Sequence, residues 1–270
     1  MEEFRVIKEL KPGGQKKVYL VEHPEFGRCV YKMGKCSHVS SLERIKREVT
    51  ILKEVDSHYF PKNFEARFND NGEFDIFEEY IESESLSDIR GVYRGDEENV
   101  IRLLLNLIDG LKIIWDKRIV HRDLKPDNIL IKANGQPVII DLGIARVLDE
   151  QSLTLTVQAN GPCTPIYAAP EQIKNRKNSI DIRTDFFSLG IICAELILGK
   201  HPFSTEVTNV GMGIVDNVLN GRYELAFNGI YLSNELKGII ERLLQPEPYL
   251  RIRTYSKLEN DIRNILKGDK

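Results

Sequence analysis

Residues 186–199 read FFSLGIICAELILG, and this run constrains the fold more than any other. A helix that is apolar on every side is stable only where protein surrounds it. Crossing a bilayer takes about 20 consecutive apolar residues; this run is shorter, and Glu195 interrupts it. The chain therefore has to supply a helical domain large enough to enclose a central helix. Gly199 is placed to end that helix, because glycine takes the left-handed C-cap conformation without a Cβ penalty.

The residues before it divide into two patterns. The segments FRVIKEL, KKVYLVEH and RCVYKMG have strand length and β-branched or aromatic content. PEFG, residues 24–27, is a hairpin turn between the last two. A helix follows, with Ser40 and Glu43 in capping-box spacing and Leu42, Ile45, Val49, Leu52 and Val55 at helical period. Glu48 falls inside that apolar arc. Either it sits at the stripe's edge and reaches solvent, or it is buried and needs a partner. EFDIFEEYIE reads as one more strand running into a linker. From about residue 84 the pattern turns helical, as in NVIRLLLNLIDGLKIIWDK, broken by two short strands at NILI and PVII. A small strand-rich part and a larger helical part imply two lobes, with a crevice between them for a ligand.

Composition narrows the partners. The net charge of −3 over 270 residues lacks the basic excess of a nucleic-acid binder. Cys29, Cys36, Cys163 and Cys193 lie far apart, in no metal-binding spacing. They read as thiols of a reducing compartment. The start, MEEFRVIKEL, lacks the basic-then-apolar pattern of a signal segment. The expectation is a cytoplasmic protein with no membrane and no nucleic-acid partner.

IVHRDLKPDNILI, residues 119–131, packs His, Arg, two Asp, Lys and Asn between apolar segments, a costly arrangement unless they bind something. IIDLGIAR follows, with an Asp at a strand end before a Gly turn, and further on comes GPCTPIYAAPEQ. In these stretches the chain closely resembles the eukaryotic-type serine/threonine protein kinases, over nearly all its length. The catalytic loop H-R-D-L-K-P-D-N is complete at His121 to Asn128, and the metal motif stands as Asp141-Leu142-Gly143, with Leu for the usual Phe. A-P-E is Ala169-Pro170-Glu171, D-x-x-S-x-G is Asp185 to Gly190, and the late arginine is Arg251. GGQKKVY and DLGIAR look closer to the bacterial branch of the family than to the animal one.

The resemblance implies an α+β, two-lobed protein kinase fold: a small antiparallel-sheet N-lobe with one key helix and a larger, mainly helical C-lobe. A single domain would span 1–270, with the N-lobe at 1–80, the hinge region at 81–83 and the C-lobe at 84–270. It also implies roles. Asp123 would accept or orient the proton of the attacking hydroxyl, and Lys125 would offset charge at the γ-phosphate. A Lys at this place is the Ser/Thr pattern. Asn128 and Asp141 would hold Mg²⁺, with Mn²⁺ as the alternative ion. Lys32 matches the strand lysine that meets the α- and β-phosphates of ATP, and Glu48 the helix glutamate that pairs with it. Glu79 to Ile81 would present backbone groups to adenine. Strict alignment puts Glu78 at the position gating the back pocket; a one-residue shift would put Phe77 there.

The phosphate loop is the departure from the pattern. LKPGGQKKVYLV, residues 10–21, has Lys11, Gly13 and Lys16 where three glycines are usual. Lys11, Gly13 and Gly14 would cover the phosphates, with Val18 over adenine. Arg122 and Arg146 could receive a phosphate carried by Ser152, Thr154 or Thr156, through self-association and autophosphorylation. Thr164 matches the Thr that bonds near the catalytic Asp and Lys, with Cys163 a bystander. Glu171 and Arg251 would form a buried ion pair, and Asp185 would hold the catalytic-loop backbone. Glu82, Glu84 and Asp88 read as a solvated acidic face. The substrate would be a protein Ser/Thr hydroxyl. Two rivals are a non-catalytic pseudokinase scaffold, favoured by the missing glycines, and a small-molecule kinase, disfavoured by the A-P-E segment and TPIY.

Overall fold

The computed structural model describes residues 4–10, 16–36, 39–142, 146–147 and 166–268. Strands β1 (Arg5–Glu9), β2 (Lys16–His23), β3 (Gly27–Lys35), β4 (Asn63–Phe68) and β5 (Glu73–Glu79) form one antiparallel sheet in the order β1-β2-β3-β5-β4. The expected hairpin forms: β2 and β3 pair from Lys16 opposite Gly34 to His23 opposite Gly27. Gly27 takes a φ of 66°, and His23 Nδ1 accepts the N–H groups of Glu25 and Phe26 across the turn.

The period of two sorts the side chains onto two faces. Phe74 and Ile76 meet Ile45 and Val49 of helix α1 (Val39–Glu54) on one face. Val21, Cys29 and Phe77 lie on the other, under Phe4, Tyr19, Phe26 and Tyr31. α1 starts at Val39, so Ser40 stands in its first turn and not at its cap as the spacing predicts. β4 was not anticipated, although Phe64, Ala66 and Phe68 alternate with polar residues. A register shift between Asn63 and Glu65 turns Phe64 to the opposite face, where it stacks on Phe26 at 5.1 Å.

After Glu79 the chain leaves the sheet. β6 (Ser83–Ser85) already pairs with β8 (Ile129–Lys132), which pairs in turn with β9 (Pro137–Ile139). Around these lie the helices α2 (Leu86–Ile89) and α3 (Glu97–Trp115), and the strand β7 (Ile119–Val120), paired with β10 (Arg146–Val147). The rest is helical: α4 (Pro170–Ile173), α5 (Ile182–Leu198), α6 (Thr205–Thr208) and α7 (Ile214–Leu219), then α8 (Asn234–Leu243) and α9 (Tyr255–Gly268). One short hairpin, β11 (Ala226–Phe227) with β12 (Ile230–Tyr231), interrupts it.

α5 is the apolar run, and it is buried from Thr184 to Leu198. It begins a turn before that run because Asp181 caps it, accepting the Arg183 N–H at 2.8 Å. It ends at Gly199, which has a φ of 73° and donates its N–H to Glu195 O. Phe186, Phe187, Leu189, Ile191 and Leu196 join residues of α3, α8 and α9 in one core. Each such side chain contributes about 1.5–3 kcal/mol by leaving water. Gly190 permits a close approach: a Cβ there would come within 2.9 Å of Leu243 Cβ. Glu195 is tolerated in this setting because Tyr167 Oη donates to it at 2.5 Å and Arg90 lies 3.5 Å away. Among the described residues, no helix is long and apolar enough to cross a membrane.

His201, just beyond α5, gives a pH prediction. It is buried; its Nε2 lies 3.1 Å from Ile166 O, and its Nδ1 accepts the Phe203 N–H at 3.3 Å. One nitrogen must donate and the other accept, which only the neutral ring can do. Burial accordingly lowers its pKa to about 4. The unfolded chain binds this proton below about pH 6.5 and the folded chain does not, so stability falls as the pH drops from 6.5 towards 4. We expect the native protein to lose about 2 kcal/mol from this residue between pH 7 and pH 5. Urea unfolding at the two pH values should show that difference shrinking in His201→Asn; an unaltered difference would refute the assignment.

Candidate active site

The sequence HRDLKPDN folds as a loop because its own polar groups and two side chains from elsewhere, one buried and one half-buried, hold it. After β7 the backbone reverses at Arg122, whose φ is 70°. This left-handed conformation is costly for a residue with a Cβ and persists only when the surroundings enforce it. Here they do. Asp185, in the first turn of α5, accepts Trp115 Nε1–H at 2.8 Å, His121 N–H at 2.9 Å and Arg122 N–H at 2.8 Å. Gln172 Nε2 donates to Arg122 O at 2.8 Å, while Gln172 Oε1 accepts the Ala169 N–H. Both sides of the residue before Asp123 are thus clamped, one by α5 and one by α4. The sequence motif points to Asp185; nothing local in it points to Gln172. Burial pushes the Asp185 carboxyl up, against the pull of His121 and the three donors. His121 is fully buried, and burial lowers its pKa; its Nδ1 accepts the Asp123 N–H at 3.2 Å.

Asp123 Oδ2 receives two donors, Lys125 Nζ at 2.9 Å and Asn128 Nδ2 at 3.0 Å. Asn128 Nδ2 also donates to Asp123 O at 2.9 Å, which fixes the amide and sets its oxygen on the other side. Burial raises the Asp123 pKa, with Lys125 opposing. Residues Pro126–Asn128 form a single 3₁₀ turn that brings Asn128 back to the loop's start. The Ile140 N–H then donates to Asn128 O at 2.9 Å, placing Asp141 beside Asn128. Asp141 has a φ of 64°, a second left-handed non-glycine residue at the site. Leu142 behind it is 1% exposed and anchors it in the main core.

The sheet supplies the other wall. Val18 of β2 lies opposite Lys32 of β3, and Lys32 lies opposite Ile76 of β5. Directly opposed residues share a face, so Val18, Lys32, Ile76 and Glu78 all point towards the α1 side. Glu48 is 1% exposed, and its carboxylate lies 3.6 Å from Lys32 Nζ. This excludes the solvent-reaching alternative for Glu48. Glu78 is closer still, 2.5 Å from the same nitrogen. Phe77 faces the opposite side, in the Val21–Cys29 cluster, whereas Glu78 shares the face of Lys32. Burial works against the Lys32 charge, but Glu78 and then Glu48 outweigh it and raise its pKa, with Asp141 adding to the same field. Asp141 is thus near enough to Lys32 for its charge to act on that ammonium.

At the linker, Glu79 donates its N–H to Lys62 O at 2.8 Å, and its Oε2 accepts the Lys62 N–H at 3.1 Å. Ile81 is buried, and its carbonyl accepts the Ser83 hydroxyl. Glu82, Glu84 and Asp88 are exposed. Lys11, Gly13, Gly14, Gly143, Ser152, Thr154, Thr156, Cys163 and Thr164 lie outside the described residues, as do the side chains of Lys16 and Arg146. Below the loop, Arg251 and Glu171 form a two-pronged pair at 2.7 and 2.8 Å, essentially without exposure.

Comparison with known proteins adds an independent line. Residues 4–261 match the family model described as protein kinase domain. A serine/threonine-protein kinase PknA of Nostoc sp. is 31% identical over 269 residues, covering 93% of this chain and 45% of that protein. The serine/threonine-protein kinase pkn2 of Myxococcus xanthus is 32% identical over 209 residues, 74% of this chain and 25% of its own length. The mouse serine/threonine-protein kinase Nek5 is 32% identical over 271 residues, 98% of this chain and 41% of its own. The chain thus spans less than half the length of these curated relatives. A match over nearly the whole sequence, on a fold with this sheet, this enclosed α5 and this clamped loop, shows that the chain belongs to the protein kinase domain family.

Proposed function

We propose that the chain is an ATP-dependent protein kinase that transfers the γ-phosphoryl group to serine or threonine hydroxyls of protein substrates. One observation carries this reading: Asp123, Lys125 and Asn128 share a single carboxylate oxygen beside Asp141. The other Asp123 oxygen can then face an incoming hydroxyl, and Lys125 is already held where negative charge would develop. Lys32, kept cationic by its carboxylate partners, would meet the α- and β-phosphates across the crevice. The carbonyl of Glu79 and the backbone of Ile81 would hold adenine, with Val18 above it.

Asn128 and Asp141 fit a magnesium ion, because an amide oxygen and a carboxylate are hard donors and the ion takes its remaining ligands from phosphate and water. Bound there, Mg²⁺ or Mn²⁺ would neutralise charge on the transferred group. The relatives' names favour Ser/Thr over Tyr, as does Lys125 two residues after Asp123. The buried thiols Cys29, Cys36 and Cys193 suit a reducing, cytoplasmic setting. Autophosphorylation at Ser152, Thr154 or Thr156 through transient self-association belongs to the same proposal.

The test is direct. Purified protein is incubated with labelled Mg·ATP, alone and with a generic basic protein, and phosphosites are mapped by mass spectrometry. We expect label on Ser and Thr, lost on chelation and in Asp141→Asn. Absence of transfer, with nucleotide still bound, would identify a binding scaffold instead.

A further inference from the structure

Lys32 has two carboxylate partners, and the nearer is not the one on α1. Its Nζ lies 2.5 Å from Glu78 Oε2 and 3.6 Å from Glu48 Oε1. Both carboxylates are buried, Glu78 at 3% exposure and Glu48 at 1%. The two contacts have different origins. Lys32 stands opposite Ile76 and Val30 opposite Glu78, so Lys32 and Glu78 are diagonal neighbours on one face of a single sheet. The end of β5 is further fixed by the double link between Glu79 and Lys62. The Glu48 contact depends instead on how α1 seats on the sheet, through a small cluster of Ile45, Val49, Phe74, Ile76 and Cys36.

Two buried carboxylates share this one ammonium, and Asp141 adds a third negative charge to its field. A nucleotide brings more negative charge to the same nitrogen. We propose that Glu78 is a positioning residue that holds Lys32 in competition with the nucleotide's phosphates, so that the site binds phosphate more weakly than its lysine would allow. The proposal rests on the reading that Lys32 meets the ATP phosphates. It assigns Glu78 and Glu48 opposite effects although both pair with Lys32. Glu78 retains the ammonium at the sheet. Glu48 pulls it towards α1 and, by sharing it, weakens that hold.

The experiment is a calorimetric titration of the native chain, Glu78→Gln and Glu48→Gln with Mg·ADP and with adenosine. Gln keeps the shape of Glu without its charge, and Glu78→Met repeats the measurement should the amide disturb folding. We expect Glu78→Gln to bind Mg·ADP about tenfold more tightly and adenosine within about twofold of the native chain, because adenosine has no phosphate to compete. Glu48→Gln should weaken Mg·ADP, since Lys32 is then left to Glu78. In steady-state assays the Glu78→Gln change should appear in the KM for ATP more than in kcat. Unchanged or weaker Mg·ADP binding in Glu78→Gln would overturn the proposal, as would equal tightening of adenosine, which would locate the effect in the base pocket. A native chain that binds no Mg·ADP would overturn the kinase reading itself, a result distinct from either.

Discussion

Replacing Arg251 with leucine is expected to lower the unfolding free energy by about 3–5 kcal/mol. The side chain has no exposure and Glu171 has 1%. Arg251 donates to both Glu171 oxygens and to the carbonyls of Arg183, Gln245 and Pro246, and its guanidinium lies over the Phe187 ring at 4.8 Å. Thr184 Oγ1 donates to Glu171 Oε1 at 2.8 Å. Leucine would strand the buried Glu171 carboxylate beside the Thr184 hydroxyl and take one donor from each of three carbonyls. Because whole domains hold only about 5–15 kcal/mol, this one change would remove a large share. The double variant Glu171→Leu with Arg251→Leu should recover part of the loss, since it removes the stranded charge as well as its partner. Denaturant unfolding of the three proteins checks this. A single variant within about 1 kcal/mol of the native chain would show the pair to be dispensable.

The pair also shows what a sequence reveals and what it hides. Glu171 and Arg251 are 80 residues apart in sequence, and only the family pattern joined them; no periodicity could. Elements whose signal is local were legible. β2 runs over KKVYLVEH, α5 contains the apolar run, and Gly199 ends it. The catalytic loop was legible because its chemistry lies within eight consecutive residues, His121 to Asn128. β4 was missed for a different reason: its alternation is correct, but three polar residues on a sheet edge look like a loop, and the shift at Phe64 breaks the pattern early. Glu78 is the instructive failure. Its burial could be suspected from FDIFEE, but its partner follows only from the register of β5 on β3, which the sequence does not print. Gln172 was hidden likewise, since its acceptor is a backbone carbonyl 50 residues away.

Replacing Asp123 with asparagine should reduce phosphoryl transfer by about 10²–10⁴-fold, mostly in kcat, with the KM for ATP changed only a few-fold. The geometry makes this a clean substitution. Lys125 and Asn128 both donate to Oδ2 of Asp123, and an asparagine oxygen in that place can accept from both. The loop's shape is held from elsewhere, by Asp185 and Gln172 on the backbone of Arg122, so it does not depend on the lost charge. What changes is the opposite position, where an amide NH₂ replaces the oxygen that would take the hydroxyl proton. The variant can still hold its neighbours and bind nucleotide, but it has no base. Steady-state assays with varied ATP separate the two parameters. A fall in affinity equal to the fall in rate would mean that Asp123 acts through nucleotide binding, and full activity would remove it from the chemistry.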